Sequence, residues 1–130
     1  MVRLRIALDT NRYVDLAKGD EAVVQTVEFS ETVYLPFIVL AELRAGFAAG
    51  RNIKANERAL GAFLAKAGVD ILYADESTID VYALLYRQLR QQGTPIPAHD
   101  LWIAALVVQH GLVLLTRDAH FDVLPQINRA

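Results

Sequence analysis

The chain has 130 residues, of which 54% are apolar and 22% are charged, a composition that is typical of a folded domain and excludes general disorder. No apolar run reaches the roughly 18 residues of a membrane span, and residues 1–8 lack the apolar core of a signal peptide, so we expect a cytoplasmic protein without membrane contact. The lack of cysteine excludes disulfides and thiolate metal sites, and the net charge of -2 excludes a generally basic nucleic-acid-binding surface.

A β-prone run at residues 4–8 predicts the first strand. Asp9 follows it directly, and Thr10 and Asn11 are residue types that can start the next helix. Ligands of open parallel sheets bind beyond the carboxyl ends of the strands. We therefore expect Asp9 to face a site, with Thr10 and Asn11 supporting its carboxylate.

Glu42 interrupts an apolar helical pattern. Short helices are predicted at residues 12–17 and 20–29, a second strand at residues 32–35, and a longer helix at residues 37–49. On that helix the neighbours of Glu42 at three and four residues' distance are apolar or small. A buried carboxylate needs a partner or a metal ion, so Glu42 is a second candidate site residue.

Basic residues, including Arg44 and Arg51, surround the turn predicted at residues 50–52, before a helix at residues 54–67. This pattern fits either a solvated helical hairpin tip or a contact with a phosphate backbone.

The second half of the chain supplies two more acids. A third strand is predicted at residues 69–72, followed by a helix that ends near residue 92. Asp100 then begins a helix that is apolar on every side and so belongs in the interior. A fourth strand at residues 113–116 precedes Arg117 and Asp118, and Asp118 takes the place after this strand that Asp9 takes after the first.

Strands that alternate with helices predict a three-layer α/β/α domain with a mainly parallel sheet. We expect residues 1–130 to form one domain, with a last edge strand near residues 123–127.

The predicted sheet can bring four acids to one edge: Asp9, Glu42, Asp100 and Asp118. Carboxylates that close repel one another unless a hard cation such as Mg²⁺ or Mn²⁺ joins them, and a metal-bound water can attack a phosphodiester. Asp9, Asp100 and Asp118 also fit simple capping or turn roles. The three histidines show no spacing typical of a shared zinc site, and His99 is expected near the site only because it adjoins Asp100.

Four short motifs together resemble a known family. They are L-D-T-N at residues 8–11, P-F-I-V-L-A-E-L-R-A-G at 36–46, H-D-L-W-I-A-A at 99–105 and L-T-R-D-A-H-F at 115–121. Their order and spacing are similar to those of the PIN-domain ribonucleases, and within them to the VapC toxins of bacterial toxin-antitoxin pairs.

The resemblance implies a Mg²⁺-dependent endoribonuclease with a PIN-like fold, in which Asp9, Glu42, Asp100 and Asp118 form the catalytic and metal-binding set. It implies that Thr116 borders this site. The expected partners are an RNA substrate, a cognate antitoxin that covers the pocket, a second copy of the chain in a homodimer, and operator DNA reached only through the antitoxin. Arg44, Arg51 and Arg117 are candidate RNA contacts.

Two alternatives stay open. A phospho-aspartate receiver domain has a similar length and fold class, although it would be expected to show paired acids near the first strand and a lysine after a late one, where this chain has Arg117. The other alternative is a catalytically silent PIN-like protein that acts only by binding a partner.

Overall fold

The computed structural model describes residues 3–130, so residues 1 and 2 of the predicted domain lie outside its described part. The strands are β1 (Arg5–Leu8), β2 (Thr32–Pro36), β3 (Val69–Leu72), β4 (Val113–Leu115) and β5 (Asn128–Arg129). The helices are α1 (Thr10–Ala17), α2 (Glu21–Phe29), α3 (Phe37–Ala49), α4 (Ile53–Leu64), α5 (Glu76–Gln92), α6 (Ala98–His110) and a short 3₁₀ helix (Ala119–Val123).

The strands form one sheet in the order β3-β2-β1-β4-β5, and every pairing is parallel. From β1 the chain builds the sheet in one direction through β2 and β3, and then returns to the other side of β1 with β4 and β5. The order therefore reverses between β1 and β4, and such a reversal opens a crevice at the carboxyl ends of the two strands. Leu8 pairs with Leu115 there, so the residues that follow them emerge side by side.

The core contains β1 and most of α6. Ile6, Ala7 and Leu8 are fully buried, as expected for a central strand that is covered on both faces. Helix α6 packs against α5 and α3, and its apolar residues from Leu101 to Val107 are mostly buried, which agrees with the interior helix predicted from the sequence. Gly111 ends α6 with a φ of 61°, a left-handed conformation that favours glycine.

The predicted α/β architecture with a parallel sheet is confirmed, but its last strand was placed wrongly. Residues 123–127 do not form a strand, because the chain turns through the 3₁₀ helix and pairs with β4 only at β5. The apolar residues that suggested a strand, Leu124 and Ile127, are instead buried as anchors of this turn. Within residues 3–130, no helix is both long and apolar enough to cross a membrane.

Candidate metal centre

Asp9 lies directly after β1, at the point where the strand order reverses. Its Oδ1 accepts a hydrogen bond from the backbone N–H of Thr10 at 2.7 Å, and its Oδ2 accepts one from the hydroxyl of Thr116 at 2.8 Å. Only 6% of the surface of Asp9 is exposed. The residue is therefore both the cap of α1 and a rigidly held acid at the sheet edge.

Thr116 connects the two strands that border the crevice. It follows Leu115, which pairs with Leu8, and the same register places Thr116 beside Asp9. Its hydroxyl donates to the Asp9 carboxylate and accepts the backbone N–H of Asp118 at 3.0 Å. One buried hydroxyl thus fixes both the acid after β1 and the loop that carries the acid after β4.

Glu42 lies on α3, with its neighbours Val39 and Leu43 buried. Its Oε2 accepts a hydrogen bond from the hydroxyl of Thr10 at 3.1 Å, which ties Glu42 to the residue that also binds Asp9. Its Oε1 is buried and has no hydrogen-bond partner among the described residues. A buried carboxylate oxygen without a partner is costly, and a bound cation would remove that cost.

Asp100 lies in the first turn of α6 and is 2% exposed. Its Oδ2 lies 2.8 Å from Nδ1 of His120, and its Oδ1 lies 3.3 Å from Nε2 of His99. Burial raises the pKa of the Asp100 carboxyl above its ordinary range, and the charges of Asp118 and Asp9 act in the same direction, whereas the two histidines oppose them. Asp9, Asp100 and Asp118 are therefore close enough to interact electrostatically.

Asp118 caps the 3₁₀ helix Ala119–Val123 by accepting the backbone N–H of His120 at 2.9 Å. In the same turn the His120 ring lies against Asp118, with Nδ1 at 3.0 Å from Oδ1, the capping oxygen. Partial burial lowers the pKa of His120, but the carboxylates of Asp118 and Asp100 outweigh this effect, so the pKa is raised. One ligand atom from each of Asp100, Asp118 and His120 lies within 4.8 Å of the others.

The donor chemistry of this cluster fits a hard divalent cation. Carboxylate oxygens are the ligands that Mg²⁺ and Mn²⁺ prefer. Within the described range, 3–130, no lysine or arginine forms an ion pair with the four predicted acids, which are Asp9, Glu42, Asp100 and Asp118. Their repulsion is balanced only by hydrogen bonds and by the two histidines, so a cation is the group best suited to neutralise them.

The predicted RNA contacts have different surroundings. Arg117 binds Asp15 through two hydrogen bonds of 3.0 and 3.1 Å, and these bonds, with help from Arg12, lower the pKa of Asp15. Arg44 forms a longer ion pair of 3.4 Å with Glu57. Arg51 is exposed at the turn before α4, and Asn11 is exposed at the start of α1. The structure does not bring these four residues into hydrogen-bond contact with the predicted acids.

Comparison with known proteins now decides the family. The sequence pattern that defines the PIN-domain family matches residues 6–126, which is most of the chain. The chain belongs to the PIN-domain family. This match, together with the similarity to VapC ribonucleases of two bacteria, confirms the resemblance that the four motifs indicated.

Several PIN-domain relatives have names that describe their activity. The chain is 32% identical to ribonuclease VapC4 of Mycobacterium tuberculosis over 69% of each chain. It is 36% identical to VapC ribonuclease Y4jK of Sinorhizobium fredii, over 87% of this chain and 86% of the relative. Among solved structures, VapBC2 from Rickettsia felis bound to a DNA fragment from its promoter matches with a TM-score of 0.87 and 25% identity, over 98% of both chains.

His120 is the site residue that the sequence reasoning missed. Histidine spacing alone did not point to it, because its partners are carboxylates and not other histidines. A signal was nevertheless present in the PIN motif itself, where Asp118 stands two residues before His120. An aspartate that caps a short turn accepts the backbone N–H two residues later, and this places that residue beside the cap.

Proposed function

We propose that this PIN-domain chain, acting as a single domain of 130 residues, is a metal-dependent endoribonuclease and the toxin of a toxin-antitoxin pair. The observation that carries the proposal is the meeting of buried carboxylates, without a described lysine or arginine partner, at the reversal of strand order. The ribonuclease names of relatives at 32 and 36% identity support the reaction class. The receiver-domain alternative loses its basis, because the chain belongs to a different family.

Asp9 and Asp100 would hold the cation directly, because both are buried and each has both oxygens fixed by neighbouring groups. Asp118 would bind it directly or through a water molecule. We propose Mg²⁺, with Mn²⁺ as the alternative ion. When bound, the cation lowers the pKa of a bound water and neutralises charge that develops on the phosphate.

The chain's own groups position this chemistry. Glu42 keeps Oε1 free of any described hydrogen bond, so this oxygen can orient the attacking water and accept its proton. Thr10 and Thr116 hold the two oxygens of Asp9 in place from opposite sides. Because each of these contacts involves backbone or a short side chain, the acids need little rearrangement before they act.

The substrate we propose is single-stranded or looped RNA, since an unpaired backbone can bend into a confined acidic site. Among the three predicted contacts, Arg51 is the arginine most available to a phosphate, because it is exposed and has no described ion-pair partner. Arg44 and Arg117 would first have to exchange Glu57 and Asp15 for the phosphate.

We further propose a cytoplasmic homodimer whose cognate antitoxin covers the acidic site and carries the contact with operator DNA. The solved structure of VapBC-5 from Mycobacterium tuberculosis, a member of the VapBC family of toxin-antitoxin systems, has the same fold and supports an antitoxin partner. A cavity of about 400 Å³ lies between α1, α2 and α4 and is lined by apolar groups such as Tyr13, Val27 and Phe63. This cavity offers the antitoxin an apolar surface.

The test is cleavage of labelled single-stranded RNA by the purified chain with Mg²⁺, Mn²⁺ or a chelator. We expect Asp9→Asn to lower the cleavage rate by about 10²-fold or more, as does the loss of other groups that stabilise charge in a transition state. Asp80→Asn, the same change at an exposed site on α5, should leave the rate unchanged. Full activity of Asp9→Asn would refute the proposal, and a wild-type chain that binds metal but cleaves no cellular RNA would instead favour the catalytically silent alternative.

A further inference from the structure

We propose that His120 is a nitrogen ligand of the cation in the acidic site, and that it shifts the preference of this site from Mg²⁺ towards Mn²⁺. The inference rests on the proposed function, because it concerns the same metal centre. It adds to the four acids a residue whose chemistry differs from theirs.

The ring of His120 lies beside two of the four acids. Nδ1 of His120 lies 2.8 Å from Oδ2 of Asp100 and 3.0 Å from Oδ1 of Asp118. Neighbouring ligands of an octahedral ion with bonds of about 2.1 Å are separated by about 3 Å. Nδ1 therefore stands at the separation expected of an adjacent ligand from each of the two oxygens. One ligand atom from each of the three residues also lies within 4.8 Å of the others.

Backbone hydrogen bonds hold His120 at this place. The N–H of His120 donates to Asp118, and the N–H of Asp118 donates to the hydroxyl of Thr116, which in turn binds Asp9. Phe121, the next residue, is buried in the core. This chain of contacts fixes His120 to the two strands that border the site.

The second ring nitrogen of His120, Nε2, is free to carry the ring proton. Within residues 3–130, Nε2 of His120 has no hydrogen-bond partner, and half of the side chain is exposed. A cation that binds here would replace the proton that Nδ1 directs at the carboxylates, and Nε2 would keep the proton of the neutral ring. A neutral imidazole with its lone pair directed at the site is the form that binds a metal.

Imidazole nitrogen changes which ion the site prefers. Carboxylate oxygens suit both Mg²⁺ and Mn²⁺, so they do not separate the two ions. An imidazole nitrogen suits transition metals, and it therefore favours Mn²⁺ over Mg²⁺. His99 does not share this position, because its Nε2 lies 3.3 Å from the other oxygen of Asp100 and outside the compact group of ligand atoms. The comparison of these two histidines gives a matched pair for the test.

The experiment is pulsed electron paramagnetic resonance of Mn²⁺ bound to the full chain, together with calorimetric titration of Mn²⁺ and Mg²⁺. In the wild type and in His99→Ala, we expect a directly bound ¹⁴N nucleus to modulate the spin echo of Mn²⁺. In His120→Ala this modulation should be lost. Mn²⁺ should bind His120→Ala about 10-fold more weakly or worse, the scale on which groups supporting a metal site act, while Mg²⁺ binding changes less. If His120→Ala does not fold, His120→Gln replaces it in both measurements, because it also lacks the imidazole, and the same losses are expected.

Three results would overturn the inference: bound Mn²⁺ without a ¹⁴N signal, a signal that persists without His120, or an equal loss of Mn²⁺ and Mg²⁺ affinity. RNA cleavage by the wild type separates the two proposals. A chain that binds Mn²⁺ and cleaves RNA without a nitrogen signal contradicts the role of His120 alone. A wild type that binds no Mn²⁺ and no Mg²⁺ contradicts both proposals.

Discussion

Replacing Thr116 with valine would test whether one hydroxyl holds the acidic site together. Valine has nearly the same shape, so the change removes two hydrogen bonds while leaving only a small packing defect. The bond to the ionised Asp9 carboxylate is worth about 1.5–3 kcal/mol, and that from the backbone N–H of Asp118 about 0.5–1.5 kcal/mol. Because Thr116 and Asp9 are each only 6% exposed, solvent compensates little of this loss. We expect Thr116→Val to lose about 2–4.5 kcal/mol of unfolding free energy.

Thr116→Ser is the matched control, because it keeps the hydroxyl and loses only a methyl group, at a cost of about 1 kcal/mol. Urea unfolding in the presence of a chelator, followed by circular dichroism, measures both variants. The valine variant should also cleave RNA about 10–100-fold more slowly at saturating metal, as expected when a group that orients a metal ligand is lost. The reasoning is refuted if the serine variant is the less stable of the two, or if the valine variant keeps wild-type stability and activity.

Two further predictions concern charge. The folded-state pKa of Asp100 is raised, so its stability contribution is present below the ordinary carboxyl pKa and is lost as the pH rises through the raised value. Asp100→Asn should therefore stabilise the metal-free fold at pH 7 more than at pH 4. Urea unfolding measures the difference in unfolding free energy between the variant and the wild type at each pH, and a difference that is equal at both, or larger at pH 4, would contradict this prediction. Arg51→Ala, in the inactive Asp9→Asn background, should reduce the slope of log affinity for RNA against log salt by about 0.7, the value for one phosphate contact on a single strand. Fluorescence anisotropy measures this slope, and an equal reduction by Arg87→Ala on α5 would argue for a general charge effect.

The sequence predicted most of the fold because its local signals and its tertiary packing agree. The third strand was predicted with the bounds of β3, and the apolar helix that begins near Asp100 is the buried α6. The end of α4 was less accurate, since the helical pattern continued to residue 67 while the helix stops at Leu64. Three exposed residues follow Leu64, and no packing extends the helix over them.

The strand predicted at residues 123–127 failed for a different reason. A run of apolar residues does not distinguish a strand from a turn that is anchored in the core, and here the cap provided by Asp118 starts a 3₁₀ helix instead. The same cap places His120 beside Asp100, a contact between residues 20 positions apart. The acids could be proposed from the ends of predicted strands and helices, whereas this contact depends on the exact path of the loop.

The hydrogen bond between Thr116 and Asp9 joins residues 107 positions apart. Thr116, which fixes Asp9 from the β4 side, is synthesised after β1, β2 and β3, and so are Asp118 and His120. A chain still on the ribosome has made β1, β2 and β3 long before β4 can insert beside β1. The acidic site therefore takes its final form only after β4 and the loop that follows it have been synthesised and have packed beside β1.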